Sequence, residues 1–424
     1  MDKNVCFSLK INNLVNKGGK MMNISLGEKH LMTTYQKYPV IFTKGRGRYL
    51  IDTHGERYLD FIAGVAVNSL GHCDRGFVTA LQEQLEKIMH VSNLYWSEEL
   101  ISASKRLTNH THFEKAFFCN SGAEAVESAI KLSRIYGNSH GKAKSHIISM
   151  VGSFHGRTLG ATSVTGQEKY RKGVGELISN ISYVPFNDIH ALRQAIQEDT
   201  CAIILEPVQG EGGIYPAKLA YLKEVETLCK ELDIVLIFDE VQCGVGRLGT
   251  FYAYQYFCVK PDIICLAKGL GGGIPVGAIL ATSKLSGYFK VGSHGSTFGG
   301  NALAMTAVNY IAKKVRTRDF LLHIQDVSHY LIDKLSELKK RYTLIKEVRG
   351  IGLMVGVELE GKLQEVLKQA FEEKLLLIGA GSSTIRMIPA LNVTREEIDE
   401  AMEKLEKVLM GIGQHEVFEE KKIS

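Results

Sequence analysis

Apolar positions along the chain follow two rhythms. Short, mostly apolar runs at 116–119, 146–151, 201–205, 234–238 and 263–267 each lead into a segment of glycine, serine or charged residues. Between them, apolar residues recur at helical spacing, most clearly over 221–232 and again over 188–197. A strand without polar alternation is buried on both faces, as in a parallel sheet covered by helices. Five such strands alternating with helices predict an α/β fold class with a mainly parallel sheet. Residues 275–282 supply a further strand, and His294-Gly-Ser-Thr-Phe-Gly-Gly-Asn301 a polar loop before another helix.

The flanks read differently. Residues 35–67 are extended, and the segments 48–52 and 56–61 flank a Thr53-His54-Gly55 turn, a hairpin signal. Phe77, Leu81, Leu85 and Ile88 follow at helical spacing, and a second helical stretch covers 98–108. Beyond 316 come a charged helix, strands within 345–358, a helix over 363–374, a strand near 385–389 and a final helix over 396–409. That order predicts a smaller α+β domain. The expected division is a leader over 1–30, an N-terminal segment over 31–70 packing with the small domain, a large domain over 71–316 and the small domain over 317–424.

Composition narrows the class. A chain of 424 residues exceeds one ordinary core, which fits two domains. With 45% hydrophobic and 23% charged residues, it has the make-up of a folded globular protein, and no apolar run reaches transmembrane length. The net charge of +5 arises from interspersed charges, so no nucleic-acid footprint stands out; a mildly basic balance suits small anionic substrates. The eight cysteines show no CxxC or zinc spacing and read as free thiols in a reducing, cytoplasmic compartment. The leader carries basic residues but no long apolar core, so no secretory signal is read in it. Lys17-Gly-Gly-Lys20 before Met21-Met22 permits purine-rich codons, hence the expectation that translation starts at Met22.

Two of the apolar runs end on chemistry. One terminates at Asp239 and the other at Lys268, which precedes Gly269-Leu-Gly-Gly-Gly. Ligands of parallel sheets sit at the carboxyl ends of the strands, so both side chains should face one crevice. A buried structural ion pair would give the same pattern. A third run ends at Asn120-Ser121-Gly122-Ala123-Glu124-Ala125, directly before a helix. That arrangement places backbone N–H groups and a positive dipole end where a phosphate could sit, though an ordinary capped helix looks alike. An amine, an acid and a phosphate cradle together suit pyridoxal phosphate (PLP), whose aldehyde needs a lysine and whose ring nitrogen needs an acid. No HExxH spacing supports a zinc hydrolase, and no metal site is expected. Pro275 interrupts the helix that a dinucleotide loop would require.

Seven motifs occur in order: 120–125, Phe154-His-Gly-Arg157, Glu206-Pro-Val-Gln-Gly-Glu211, Asp239-Glu-Val-Gln242, Lys268-Gly, Gly295-Ser-Thr297 and Ile385-Arg386. In these the chain resembles the class III PLP-dependent aminotransferases over residues 35–409. The resemblance implies the PLP-dependent transferase fold type I. It implies that Lys268 holds the cofactor and shuttles the proton at the reacting carbon, and that Asp239 pairs with the ring nitrogen. Val241 and Phe154 would sandwich the ring, with Gln242 near its hydroxyl. Gly122 and Ala123 would bind phosphate through backbone amides, and Ser121 and Glu240 would join the cofactor set. Thr297 would reach the cofactor of a partner subunit, making a homodimer with shared active sites.

For the substrates, the resemblance implies arginines, whose fork matches carboxylates. Arg157 would clamp a remote carboxylate and Arg386 the α-carboxylate of glutamate or 2-oxoglutarate. Glu211 would cover Arg386 when the amine donor offers no carboxylate there. Glu206, Ser296 and Tyr35 complete the expected substrate set, and His155 reads as structural. Gly64-Val65 stand where ornithine-specific relatives carry a tyrosine, and Ser92-Asn-Leu-Tyr95-Trp96 resembles the acetylornithine subgroup. Cys73-Asp74-Arg75 and Leu248 depart from the family pattern, outside the expected chemistry. The implied activity is ping-pong transfer of the δ-amine of N-acetylornithine to 2-oxoglutarate, in arginine biosynthesis. The alternatives are ornithine, succinylornithine or 4-aminobutyrate as donor, or an aminomutase or racemase on the same scaffold.

Overall fold

The computed structural model describes residues 24–139 and 143–423, with side chains to residue 412. The proposed start at Met22 and most of the expected leader lie outside the described residues. The centre is a seven-stranded sheet in the order Lys115–Cys119, Gly277–Ala281, Ile263–Leu266, Val235–Asp239, Thr200–Leu205, His146–Met150, Ile181–Val184. Gly277–Ala281 runs antiparallel to both its neighbours; the other pairings are parallel.

Side chains of a strand alternate between faces. Val235 and Ile237 accordingly pack into one apolar cluster with Ala125, Val126 and Ala129 of the Gly122–Asn138 helix. Leu236 and Phe238 pack into the other cluster, with Val225 and Val308. Burial on both faces is why these strands read as continuous apolar runs. The unexpected strand, Ile181–Val184, lies at the sheet edge and is only partly buried, so it gave no such run.

The two ends of the chain meet. Phe42–Arg46, Tyr49–Asp52 and Arg57–Asp60 form an antiparallel ladder, and Leu375–Leu376 pairs parallel with Arg57–Asp60. A second outer sheet orders Ile345–Ile351, Met354–Leu359, Thr384–Met387 and Ile378–Ala380, all antiparallel. The helices Arg318–Arg341, Leu363–Glu372 and Arg395–Ile423 accompany it. Within the expected leader, Ile24–His30 is a helix with no buried residue. The described cysteines are free thiols, buried except Cys73 and Cys258. Among the described residues, no helix is long and apolar enough to cross a membrane.

Candidate active site

Five strand ends of the central sheet converge on a cavity of about 380 Å³, lined by Ser121, Phe154, Glu206, Asp239 and Lys268 among others. This is the crevice that a parallel sheet offers beyond its carboxyl ends. Lys268 opens a short 3-10 turn, Lys268–Leu270, at a left-handed φ of 44°. A non-glycine residue held there stores of order 1–3 kcal/mol of strain. Burial, then the nearby Arg386 guanidinium, lower the pKa of its amine. The glycines that follow provide close backbone packing. A Cβ on Gly269 would meet Ser69 Oγ at 2.6 Å, and one on Gly271 would meet Ile274 O at 1.9 Å.

Asp239 is buried, with Oδ1 accepting the Val241 N–H at 3.0 Å and Oδ2 lying 2.7 Å from His155 Nδ1. An ionised carboxylate only accepts, so Nδ1 carries the proton of that hydrogen bond. His155, read from sequence as structural, is thus the side chain that orients Asp239. It follows the 146–151 apolar run, whose strand is separated from that of Asp239 by one strand of the sheet. Glu206 accepts the Phe154 N–H at 3.0 Å and the Gly210 N–H at 3.1 Å. Burial pushes its pKa up to about 7, against the opposing pull of His155.

Across the cavity, Arg386 comes from Thr384–Met387 and is fully buried. Its Nη1 donates to Glu211 at 2.6 Å and to Gln242 at 3.0 Å, while its buried Nε has no partner among the described residues. Burial raises the Glu211 pKa, but the Arg386 charge and hydrogen bond outweigh it and hold the carboxyl below its usual range.

The class-III aminotransferase family profile matches residues 31–409. An acetylornithine aminotransferase of Clostridium acetobutylicum is 48% identical over 379 residues, covering 89% of this chain and 98% of that protein. A succinylornithine transaminase of Photorhabdus laumondii is 43% identical, covering 90% of this chain and 96% of the relative. The crystal structure of N-acetylornithine aminotransferase from Stenotrophomonas maltophilia superposes with a TM-score of 0.81 at 34% identity, over 92% of this chain and all of that one. The chain belongs to the class-III aminotransferases.

Aminotransferases of this class depend on PLP, and the cavity fits it. Gly122 and Ala123 line the cavity in the first turn of the Gly122–Asn138 helix, whose N–H groups have no intrahelical acceptor. A Cβ on Gly122 would sit 2.8 Å from Val241 Cγ1, so only glycine leaves this cradle open. Ser121 is occupied as the helix cap, accepting the Glu124 N–H at 3.2 Å. Lys268 would hold the aldehyde, Asp239 the ring nitrogen, and Phe154 with Val241 the two ring faces. Bound there, the cofactor supplies an electron sink for the carbon that loses its proton.

Ten expected residues share this cavity or its wall: Ser121, Gly122, Ala123, Phe154, Glu206, Glu211, Asp239, Val241, Gln242 and Lys268. Arg386 reaches it through Glu211 and Gln242. Glu240 is a correction. Both its oxygens are taken by the N–H groups of Ala253 and Tyr254, at 2.6 and 2.8 Å, so it caps the Ala253–Phe257 helix and faces away from the cavity. Tyr35 is 78% exposed and outside the lining. Arg157 is exposed, its guanidinium 4.0 Å above the Tyr170 ring and 5.5 Å from that of Phe154. Ser296 Oγ accepts from Asn120 Nδ2 at 3.3 Å, and Thr297 is exposed beyond the lining.

Val67, Ile274 and Val276 form an apolar wall that sequence reading did not single out. Val67 follows a left-handed turn in which Ala63, Gly64, Val65 and Ala66 all have positive φ. Asp60 secures that turn by accepting the Ile62 and Ala63 N–H groups, with His72 2.8 Å away on its other oxygen.

Proposed function

We propose that this protein transfers the δ-amino group of N-acetylornithine to 2-oxoglutarate, in arginine biosynthesis. The observation that carries this reading is the Glu211–Arg386 pair at 2.6 Å on the cavity wall. A δ-amine donor brings a CH₂ group with no carboxylate to the reacting position, whereas 2-oxoglutarate brings its α-carboxylate. A buried arginine stripped of its partner costs about 3–5 kcal/mol. Glu211 would neutralise Arg386 during the first half-reaction and turn aside for the carboxylate in the second. Lys268, its pKa lowered by burial, would take and return the proton at the reacting carbon. Asp239, held by His155 and Val241, would keep the ring nitrogen protonated. Arg157, at the rim, would hold the carboxylate remote from the reaction.

An acylated donor suits the wall near Val67, where the 60–68 segment carries no tyrosine to greet a free α-ammonium. The 48% and 43% identities to relatives named for acylated ornithines support the same donor class. The enzyme would work as a cytoplasmic homodimer. Exposed Leu94, Tyr95, Trp96 and Phe298 are gathered where Asn93 bonds the carbonyls of Ser296 and Gly299, beside Thr297, which would reach the partner's cofactor. A donor panel against 2-oxoglutarate tests the reading by kcat/KM. N-acetylornithine should lead, and a tenfold or greater preference for ornithine or 4-aminobutyrate would overturn it.

A further inference from the structure

The loop that carries Glu211 is fastened to the small outer sheet at a second place. Arg349 stands opposite Gly356 on one neighbouring strand, and Gly356 stands opposite Arg386 on the next. Directly opposed residues share a face, so the two arginines flank Gly356 on one side of the sheet. The loop lies across that row. A Cβ on Gly356 would meet Ile214 Cβ at 2.9 Å, so the glycine makes room for the loop.

Arg349 is almost wholly buried, its side chain 7% exposed, and its bonds join the two halves of the gate. Nε and Nη2 donate to Gly213 O at 3.0 and 2.8 Å, and Nη2 also donates to Thr384 Oγ1 at 2.9 Å. Gly213 lies two residues after Glu211, and Thr384 two residues before Arg386 on the same strand. Glu347 and Glu358 balance the charge at Nη1, and the Tyr215 ring lies 4.0 Å under the guanidinium. A further tie runs from Gly381 N–H to Glu211 O at 3.0 Å. Gly213 itself has φ 126°, a conformation that suits only glycine.

We propose that Arg349 is a positioning residue: it pins the Glu211 loop to the strand of Arg386, so that Glu211 leaves Arg386 by side-chain rotation over a fixed backbone. This rests on the reading of Glu211 as the cover of Arg386. With the loop pinned, Glu211 competes with an incoming carboxylate at full strength; with the loop loosened, it competes poorly. Removing a buried arginine should therefore strengthen binding of a dicarboxylate, an effect that general damage to the site would not produce.

The test is calorimetric titration of glutarate, a dicarboxylate without the reacting carbonyl, into the PLP-loaded protein. Glu211→Ala should bind it at least about tenfold more tightly, the scale of one lost charge-assisted competitor. Arg349→Lys keeps the charge beside Glu347 and Glu358 but loses the fork, and should bind glutarate more tightly than wild type. Tyr215→Leu, on a partly exposed hairpin, should shift in the same direction and decides the matter if Arg349→Lys does not fold. Both variants should also slow the δ-amine half-reaction relative to the glutamate half-reaction. Wild-type or weaker glutarate binding in these variants, alongside tighter binding in Glu211→Ala, overturns the role of Arg349. No tightening in Glu211→Ala removes the gate itself, and the proposal with it.

Discussion

His155 Nδ1 lies 2.7 Å from Asp239 Oδ2, both side chains buried, while the Nε2 of the same ring is buried without a partner among the described residues. Asp239 is therefore the ring's one hydrogen-bond partner among the described residues. An asparagine can place its amide nitrogen near the Nδ1 position, whereas glutamine cannot. His155→Gln should lower kcat/KM by about tenfold or more, the scale of one charge-assisted hydrogen bond. It should also weaken PLP retention. His155→Asn should recover much of both. Equal losses in the two variants would leave His155 with a packing role only.

On the function proposed above, Lys268 is the residue the chemistry needs most. Lys268→Met should lower transamination by orders of magnitude and end borohydride trapping of PLP on the protein. Its stability effect has a definite sign in the cofactor-free protein. Burial lowers the folded-state pKa of the amine, while in the unfolded chain it stays near ~10.4. Below the folded value the protonated amine costs stability, and that cost disappears as pH rises past the unfolded value. The cofactor-free Lys268→Met variant should thus melt higher than wild type at neutral pH, by a margin that shrinks as the pH rises toward ~10.4. A lower melting point at neutral pH would mean that the amine is well solvated.

The legible part of this site is the part written along single strands. Asp239 and Lys268 each end an apolar run, and Gly122 follows another, so sheet topology alone brought them together. His155 and Asp239 are far apart in sequence, and no spacing announces their contact. Glu240 misled because it adjoins Asp239, yet the next residue of a strand faces the other way, toward Ala253 and Tyr254. Arg349 left no signal, since its partners are a backbone carbonyl, Thr384 and two acids from its own sheet. Ile181–Val184 was missed because an edge strand need not be apolar throughout.

Glu211→Ala leaves Arg386 bonded only to Gln242 among its observed partners. Single-turnover kinetics should show the δ-amine half-reaction slowed by about tenfold or more while the glutamate half-reaction keeps its rate, because one ionic hydrogen bond is worth about 1.5–3 kcal/mol. Equal losses in both would contradict the covering role.

Glu240 offers a test in stability that leaves the cavity untouched. Its two oxygens accept the first N–H groups of the Ala253–Phe257 helix, and burial pushes its pKa up to about 8. In Glu240→Gln, the amide nitrogen must face one of those N–H donors, which should cost about 1–3 kcal/mol. A raised folded-state pKa means that the stability the carboxyl contributes is present at acid pH and is lost as pH rises through about 8. Glutamine does not titrate, and Glu206 titrates alike in both proteins and cancels. The margin of wild type over Glu240→Gln in urea melts should therefore shrink as the pH is raised from about 5 to about 9. A margin that widens instead would mean that the two N–H groups hold the carboxylate ionised in the fold.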